Sequence, residues 1–303
     1  MNSGIADIAS DNTSGAAEIL RRAAAVFSQL RNQNIDNPNQ SLHQAQSSII
    51  QTGIALSRAQ RDMISLLRLA SSSISAARTA TSAGEAFRHA EEEACRFITA
   101  AEQAGLAAAA HAAKLIHNHA KVLTHSRSST VLLSLSTAKQ SRKKFSVIAT
   151  ESRPLMEGRT LARELAARDI PVTLIADAAA ALAMPGVDLV LVGADSVTST
   201  HLLNKIGTRM IALAAKEHDI PMYAVCDSTK FAGSVLSPAS LESRDGKELW
   251  QDAPEGVSVD NQYFEPILLS SFNGVIVEDG ILSSTDAAFR AEQVSVDESL
   301  WRD

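Results

Sequence analysis

Near residue 120 the chain changes character, and that change limits the folds open to it more than any other feature. Before it the sequence is rich in Ala, Ser, Gln and Arg, almost lacks Val, and has Pro38 as its one proline, a composition that favours helices. Apolar residues recur at helical spacing over residues 16–30, 59–69 and 84–120. The Asn-rich stretch 32–40 reads as a connector, and the Ala-dense stretch 100–113 as a narrow helix that packs closely on a neighbour. After residue 120, short Val/Ile/Leu runs alternate with helix-period segments. This is the pattern of βαβ units around a parallel sheet buried on both faces. Strands are expected at 121–123, 145–149, 172–176, 189–192, 222–225 and 275–277, with helices at 128–138, 160–168 and 203–217 between them. The weakly periodic stretch 237–265 reads as an excursion over the surface. The fold class is therefore α/β: an N-terminal helical bundle domain over residues 1–119, then a Rossmann-like parallel-sheet domain over 120–303. Two domains suit a chain of 303 residues.

Charge and cysteine content narrow the function classes. A net charge of -6 gives no general attraction to phosphate polymers or anionic membranes, so no direct nucleic-acid binding is expected and any phosphate affinity must be local. Cys95 and Cys226 stand far apart without a CxxC partner, against a zinc cluster or disulfide framework and in keeping with a reducing compartment. No apolar run approaches the length of a membrane span, and Asp7, Asp11 and Glu18 sit where a signal peptide needs basic and apolar residues. A cytoplasmic protein without metal or cofactor is the expectation. His117 and His119 lack further ligands at metal spacing, and neither a GxxxxGK[ST] loop nor a GxGxxG turn occurs.

Parallel sheets bind ligands outside the carboxyl ends of their strands. Five expected strand ends carry polar groups: Thr124-His125-Ser126-Arg127, Thr150-Glu151-Ser152-Arg153-Pro154, Asp177, Gly193-Ala194-Asp195 and Asp227-Ser228. Asp177 and Asp227 taken singly read as helix caps, but capping explains the convergence of all five poorly. Asp195 can accept a proton from, or hydrogen-bond, a sugar hydroxyl. Asn204-Lys205-Ile206-Gly207-Thr208 enters a helix, where free amides and one ammonium make a local anion site; a solvated helix residue is an equal reading of Lys205. Arg153, held extended by Pro154, can grip a phosphate through two donors or pair with Asp177. His125 beside Ser126 is no catalytic dyad by adjacency, since neighbouring side chains on extended backbone point apart.

In that order, Thr124-His125-Ser126, Glu151-Ser152-Arg153-Pro154, Gly193-Ala194-Asp195 and Asn204-Lys205-Ile206-Gly207-Thr208 resemble the family uniting the alpha, beta and delta subunits of translation initiation factor 2B with methylthioribose 1-phosphate and ribose 1,5-bisphosphate isomerases. Lys216-Glu217-His218, Ile220-Pro221, Asp227-Ser228-Thr229-Lys230-Phe231 and Asn261-Gln262-Tyr263-Phe264-Glu265-Pro266 add to the likeness. It covers residues 120–290, and before them a helical domain of fitting length with Ser14-Gly15-Ala16 as a possible motif. The resemblance implies that isomerase members move protons with a cysteine and an aspartate. Asp195 matches the aspartate, whereas Ser126 stands at the cysteine. A thiol with pKa about 8.5 is tunable to neutral pH, while a serine needs a dedicated base, and none is evident in the sequence. Ser14 likewise replaces a phosphate-holding arginine, with Arg21 or Arg22 as possible substitutes or mere surface residues.

The expectation is an initiation factor 2B-like protein that binds a phosphorylated sugar or nucleotide metabolite, regulatory and non-catalytic. The alternative is an aldose-ketose isomerase of a pentose 1-phosphate in which Asp195 and Ser126 act. Asn204, Lys205, Gly207 and Thr208 would hold phosphate, with Ser14, Gly15 and Ala16 contributing from the first domain. Ser126, Arg127 and Ser128 would close the rim, and Arg153 would grip a second phosphate or orient Asp195. The family resemblance also implies a homodimer, or a higher even oligomer, through the C-terminal domain.

Overall fold

The computed structural model describes residues 3–11, 14–34, 39–233 and 243–300. The chain divides into two compact units, Met1–Gln103 with Val294–Asp303, and Ala104–Gln293. In the first unit the helices are α1 (Ser3–Ala9), α2 (Ala16–Asn34), α3 (Leu42–Ala59) and α4 (Ile64–Arg78); α5 (Ala83–Leu115) begins there and ends in the second. Each presents an apolar stripe: Ile19, Ala23, Val26 and Phe27 of α2 join Ile49 and Leu56 of α3 and Leu66, Leu69 and Ile74 of α4 in one core. Ser41 and Gln44 form a reciprocal capping box that starts α3. The helical run expected at 59–69 is broken, because α3 ends at Ala59 and Met63 precedes the new helix. Of the connector stretch, 35–38 lie outside the described residues. Among the described residues, no helix is long and apolar enough to cross a membrane.

The second unit is an α/β sheet domain. Among the described residues it has β1 (Lys121–Thr124), α6 (Ser129–Gln140), β2 (Ser146–Thr150), α7 (Glu157–Ala166), β3 (Val172–Ile175), α8 (Ala180–Ala183), β4 (Leu189–Val192), β5 (Ser196–Val197), β6 (His201–Lys205), α9 (Thr208–Glu217), β7 (Met222–Val225), β8 (Phe264–Leu268), β9 (Gly274–Val277), β10 (Gly280–Leu282) and α10 (Ser284–Glu292). The main sheet runs β10-β9-β7-β4-β1-β2-β3, parallel throughout except for the β10 edge. Its middle strands are buried on both faces, β4 and β9 along their whole length, which is why they read as unbroken apolar runs. Starting from β1, the chain builds outward to β2 and β3 and then returns to β4 on the other side. The carboxyl ends of β1 and β4 thus flank a topological switch point.

Three further expectations are corrected. The helix expected at 203–217 starts only at Thr208; His201–Lys205 is a strand that pairs antiparallel with β5 and β8 in a small second sheet. Gly207, at φ +102°, turns the chain from that strand into α9. The stretch 237–265 is not wholly a surface excursion: Trp250 is exposed, but Asn261 and Tyr263 are buried where the chain enters β8, and 237–242 lie outside the described residues. His117 and His119 lie beyond the end of α5 rather than on it.

Candidate functional site at the carboxyl ends of the strands

The rim of the second unit is organised around a buried histidine. His125 Nε2 lies 2.7 Å from the Ile206 carbonyl, which can only accept, so Nε2 carries the proton. Nδ1, 2.6 Å from Thr150 Oγ1, therefore accepts from the threonine hydroxyl. Thr150 Oγ1 in turn accepts from Ser152 Oγ at 3.1 Å, and Ser152 Oγ accepts the Ser126 amide at 2.7 Å. Burial pushes the imidazole below its ordinary pKa, outweighing the Ile206 carbonyl and the Asp177 charge that favour protonation, so it is neutral at pH 7. A Cβ on Gly207 would sit 3.2 Å from two atoms of this ring, a second reason for glycine there.

Ser126 and Ser152 both adopt left-handed backbone, at φ +63° and +67°. The Asp177 carboxylate accepts the amides of Ser152 (2.6 Å) and Arg153 (2.8 Å), pinning the loop after β2. Asp177 thus meets Arg153 through the main chain. The exposed Arg153 guanidinium makes no hydrogen bond or ion pair among the described residues, and the Arg153-Pro154 peptide is cis. The fork of Arg127 is taken by Glu164, at 2.9 and 2.7 Å. Ser128 caps α6 and packs so tightly on Gly193 that a Cβ there would lie 2.7 Å from its own. The Asp195 amide donates to the Leu203 carbonyl at 2.9 Å, placing this half-buried acid beside β6.

Lys205, 2% exposed, places Nζ 2.7 Å from Glu157 Oε1 and 4.8 Å from the centroid of the Tyr263 ring. The other Glu157 oxygen is buried without a hydrogen bond. Tyr263 donates its hydroxyl to Glu248; burial and that carboxylate push the phenol upward, so it stays neutral. The amide assigned to phosphate at the start of α9 already has a carboxylate on it, since Glu265 Oε1 accepts from Gly207 N (2.7 Å) and Arg209 N (2.9 Å). Asn204 and Thr208 are buried and bonded to each other at 3.0 Å.

In the first unit, Ser14 N donates to Asp11 at 2.8 Å, the Gly15 carbonyl accepts from Glu18 and Ile19, and Ala16 opens α2. Arg21 pairs with Glu18 and Glu102, and Arg22 with Asp11.

Within the second unit, hydrogen bonds therefore tie the loops bearing Ser126, Arg153, Asp195 and the Lys205-Ile206 turn into one rim. Sequence reasoning missed the carboxylates that occupy its cations and amides: Glu157, Glu164 and Glu265. It also gave no role to Lys230, whose side chain, 8% exposed, makes no hydrogen bond or ion pair among the described residues. The adjoining Phe231 bridges Val197, two residues beyond Asp195. Burial raises the Cys226 thiol far above its usual range, with the Asp227 charge adding to it. That thiol is therefore protonated and a poor nucleophile at neutral pH.

Fold and rim together define a Rossmann-like α/β protein whose polar strand-end loops gather at the switch point of its sheet. The chain belongs to the initiation factor 2 subunit family, whose model matches residues 10–284. It is 38% identical over 177 residues to ribose 1,5-bisphosphate isomerase of Archaeoglobus fulgidus, a match covering 56% of this chain and 56% of that enzyme. It is 36% identical to a putative translation initiation factor eIF-2B subunit 2-like protein of Pyrococcus horikoshii, over 63% of this chain and 68% of the relative. The crystal structure of the Pyrococcus horikoshii OT3 translation initiation factor eIF-2B superposes with a TM-score of 0.79 at 28% identity, covering 93% of this chain and 96% of that one.

Proposed function

We propose that the second unit holds a phosphorylated sugar or nucleotide metabolite in the crevice and does not convert it, a regulatory role carried out in the cytoplasm. The observation carrying this reading is the Ser126 hydroxyl, which makes no hydrogen bond among the described residues. Its neighbour His125 is neutral and committed at both nitrogens, so the adjacent imidazole is not poised to activate the serine. Arg153 and Lys230, which make no hydrogen bond or ion pair among the described residues, would meet the metabolite's phosphate groups. Asp195 would bond a ligand hydroxyl.

A second reading, aldose-ketose isomerisation of a pentose 1-phosphate, draws support from the 38% identity to a ribose 1,5-bisphosphate isomerase and from the Asp195 carboxylate on the rim. Incubation with ribose 1,5-bisphosphate and with methylthioribose 1-phosphate separates the two. The expected result is binding without ketose, seen as stabilisation by about 2.7 kcal/mol at 100 times Kd, and the appearance of ketose in Ser126→Cys. Wild-type turnover abolished by Asp195→Asn would overturn the non-catalytic reading.

We further propose that the protein forms homodimers, or a higher even oligomer, through the second unit. Leu182 on α8 is 84% exposed and Leu213 on the adjacent α9 is 64% exposed, with Met210 and Leu268 close by in sequence and sheet, an apolar surface of the kind that marks an interface. Sedimentation equilibrium should give twice the chain mass or a higher even multiple of it, falling in Leu182→Glu/Leu213→Glu; a wild-type monomer at micromolar concentration refutes it.

A further inference from the structure

We propose that the crevice takes up an anionic ligand together with one proton, and that Glu157 accepts it. This deepens the ligand-binding reading above and rests on it. Lys205 is almost wholly buried, and its ammonium is held by Glu157 Oε1 at 2.7 Å on one side and by the face of Tyr263 on another. Glu157 in turn depends on that ammonium, because its second oxygen is buried with no donor. A phosphate that reaches Lys205 puts a second negative group on the same cation, where little water screens the two. Like charges that close do not both stay ionised.

The protons nearest the pair are already committed. From the loop after β1, His125 is neutral with its one proton spent on the Ile206 carbonyl. From the segment before β8, the Tyr263 hydroxyl is spent on Glu248, and Arg244 lies against the same ring, 5.3 Å from its centroid. On α7 itself, Arg159 is held by Glu151. A proton from solvent settles on the unbonded Oε2, turning a carboxylate that competes with the ligand into a carboxyl that can donate a hydrogen bond to it. The ion pair then acts as an internal counterweight that weakens anion binding as pH rises.

The test is calorimetry of the wild-type protein with ribose 1,5-bisphosphate in buffers of different ionisation heat, at about pH 8, where phosphate monoesters are fully dianionic because their second pKa is about 6. Uptake close to one proton per site is expected, with affinity falling about tenfold per pH unit by linkage. Glu157→Gln, which keeps an oxygen for Lys205, should bind without proton uptake, with affinity independent of pH and more than about tenfold tighter than wild type at that pH. Wild-type binding without proton uptake overturns the inference while leaving the ligand reading intact, and it needs no variant to fold. Binding by the variant alone supports the inference, since the wild-type site is then closed by its own carboxylate. If neither protein binds, the ligand reading fails and the inference falls with it.

Discussion

Gly158→Ala is expected to cost about 4 kcal/mol or more, a large part of the stability of an ordinary domain. A Cβ at this position would lie 1.7 Å from the Thr150 carbonyl oxygen, 2.9 Å from its carbon and 3.0 Å from the Glu151 carbonyl oxygen. All three are main-chain atoms, so no side chain can swing aside. Thr150 ends β2, which is paired on both sides, to β1 and to β3, and its hydroxyl is a link in the bonding around His125. The Gly158 amide also donates to Glu151 at 3.2 Å, fixing α7 against the loop it would have to leave. Chemical denaturation followed by circular dichroism measures the effect. A variant within about 1 kcal/mol of wild type would show that the approach of α7 to β2 is not as drawn.

Glu157→Met is the second large effect, an expected loss of about 3–5 kcal/mol. It leaves the Lys205 ammonium 2% exposed with the Tyr263 ring as its remaining partner, and a ring face compensates a desolvated cation by only about 2 kcal/mol. Methionine fills the space, so the deficit measured is that of the charge rather than of a cavity. The double variant Glu157→Met/Lys205→Met removes both charges and should recover most of the loss, because an ion pair replaced by apolar groups of similar volume is often close to neutral. Urea unfolding of the single and double variants forms a mutant cycle; a single variant as stable as wild type would mean that Lys205 reaches solvent.

The sheet was largely legible in the sequence because its middle strands are buried on both faces, and a run such as Leu189–Val192 fits few other structures. β6 was not, because Leu202 and Leu203 run straight into the helical spacing of α9 and only Gly207 marks the break. At the site, the expected residues were chosen for what they offer a phosphate: cations, amides and a carboxylate at strand ends. The sequence does not show which of those offers the chain itself takes up. Glu164 lies 37 positions from Arg127 and Glu265 lies 58 from Gly207, so each pairing exists only once the sheet has brought distant segments together. Glu157 was nearer to hand, four residues beyond Arg153, yet it fell ahead of the helix expected at 160–168 and was given no role, whereas α7 starts at Glu157 itself.

His125 has a mechanical consequence. One uncharged ring fastens the loop that follows β1, the tip of β2 and the turn ahead of α9, and every proton in that fastening points the same way. A molecule drawing on any one of these three segments must tug on the other two, so this rim answers as a single stiff body rather than as separate fingers.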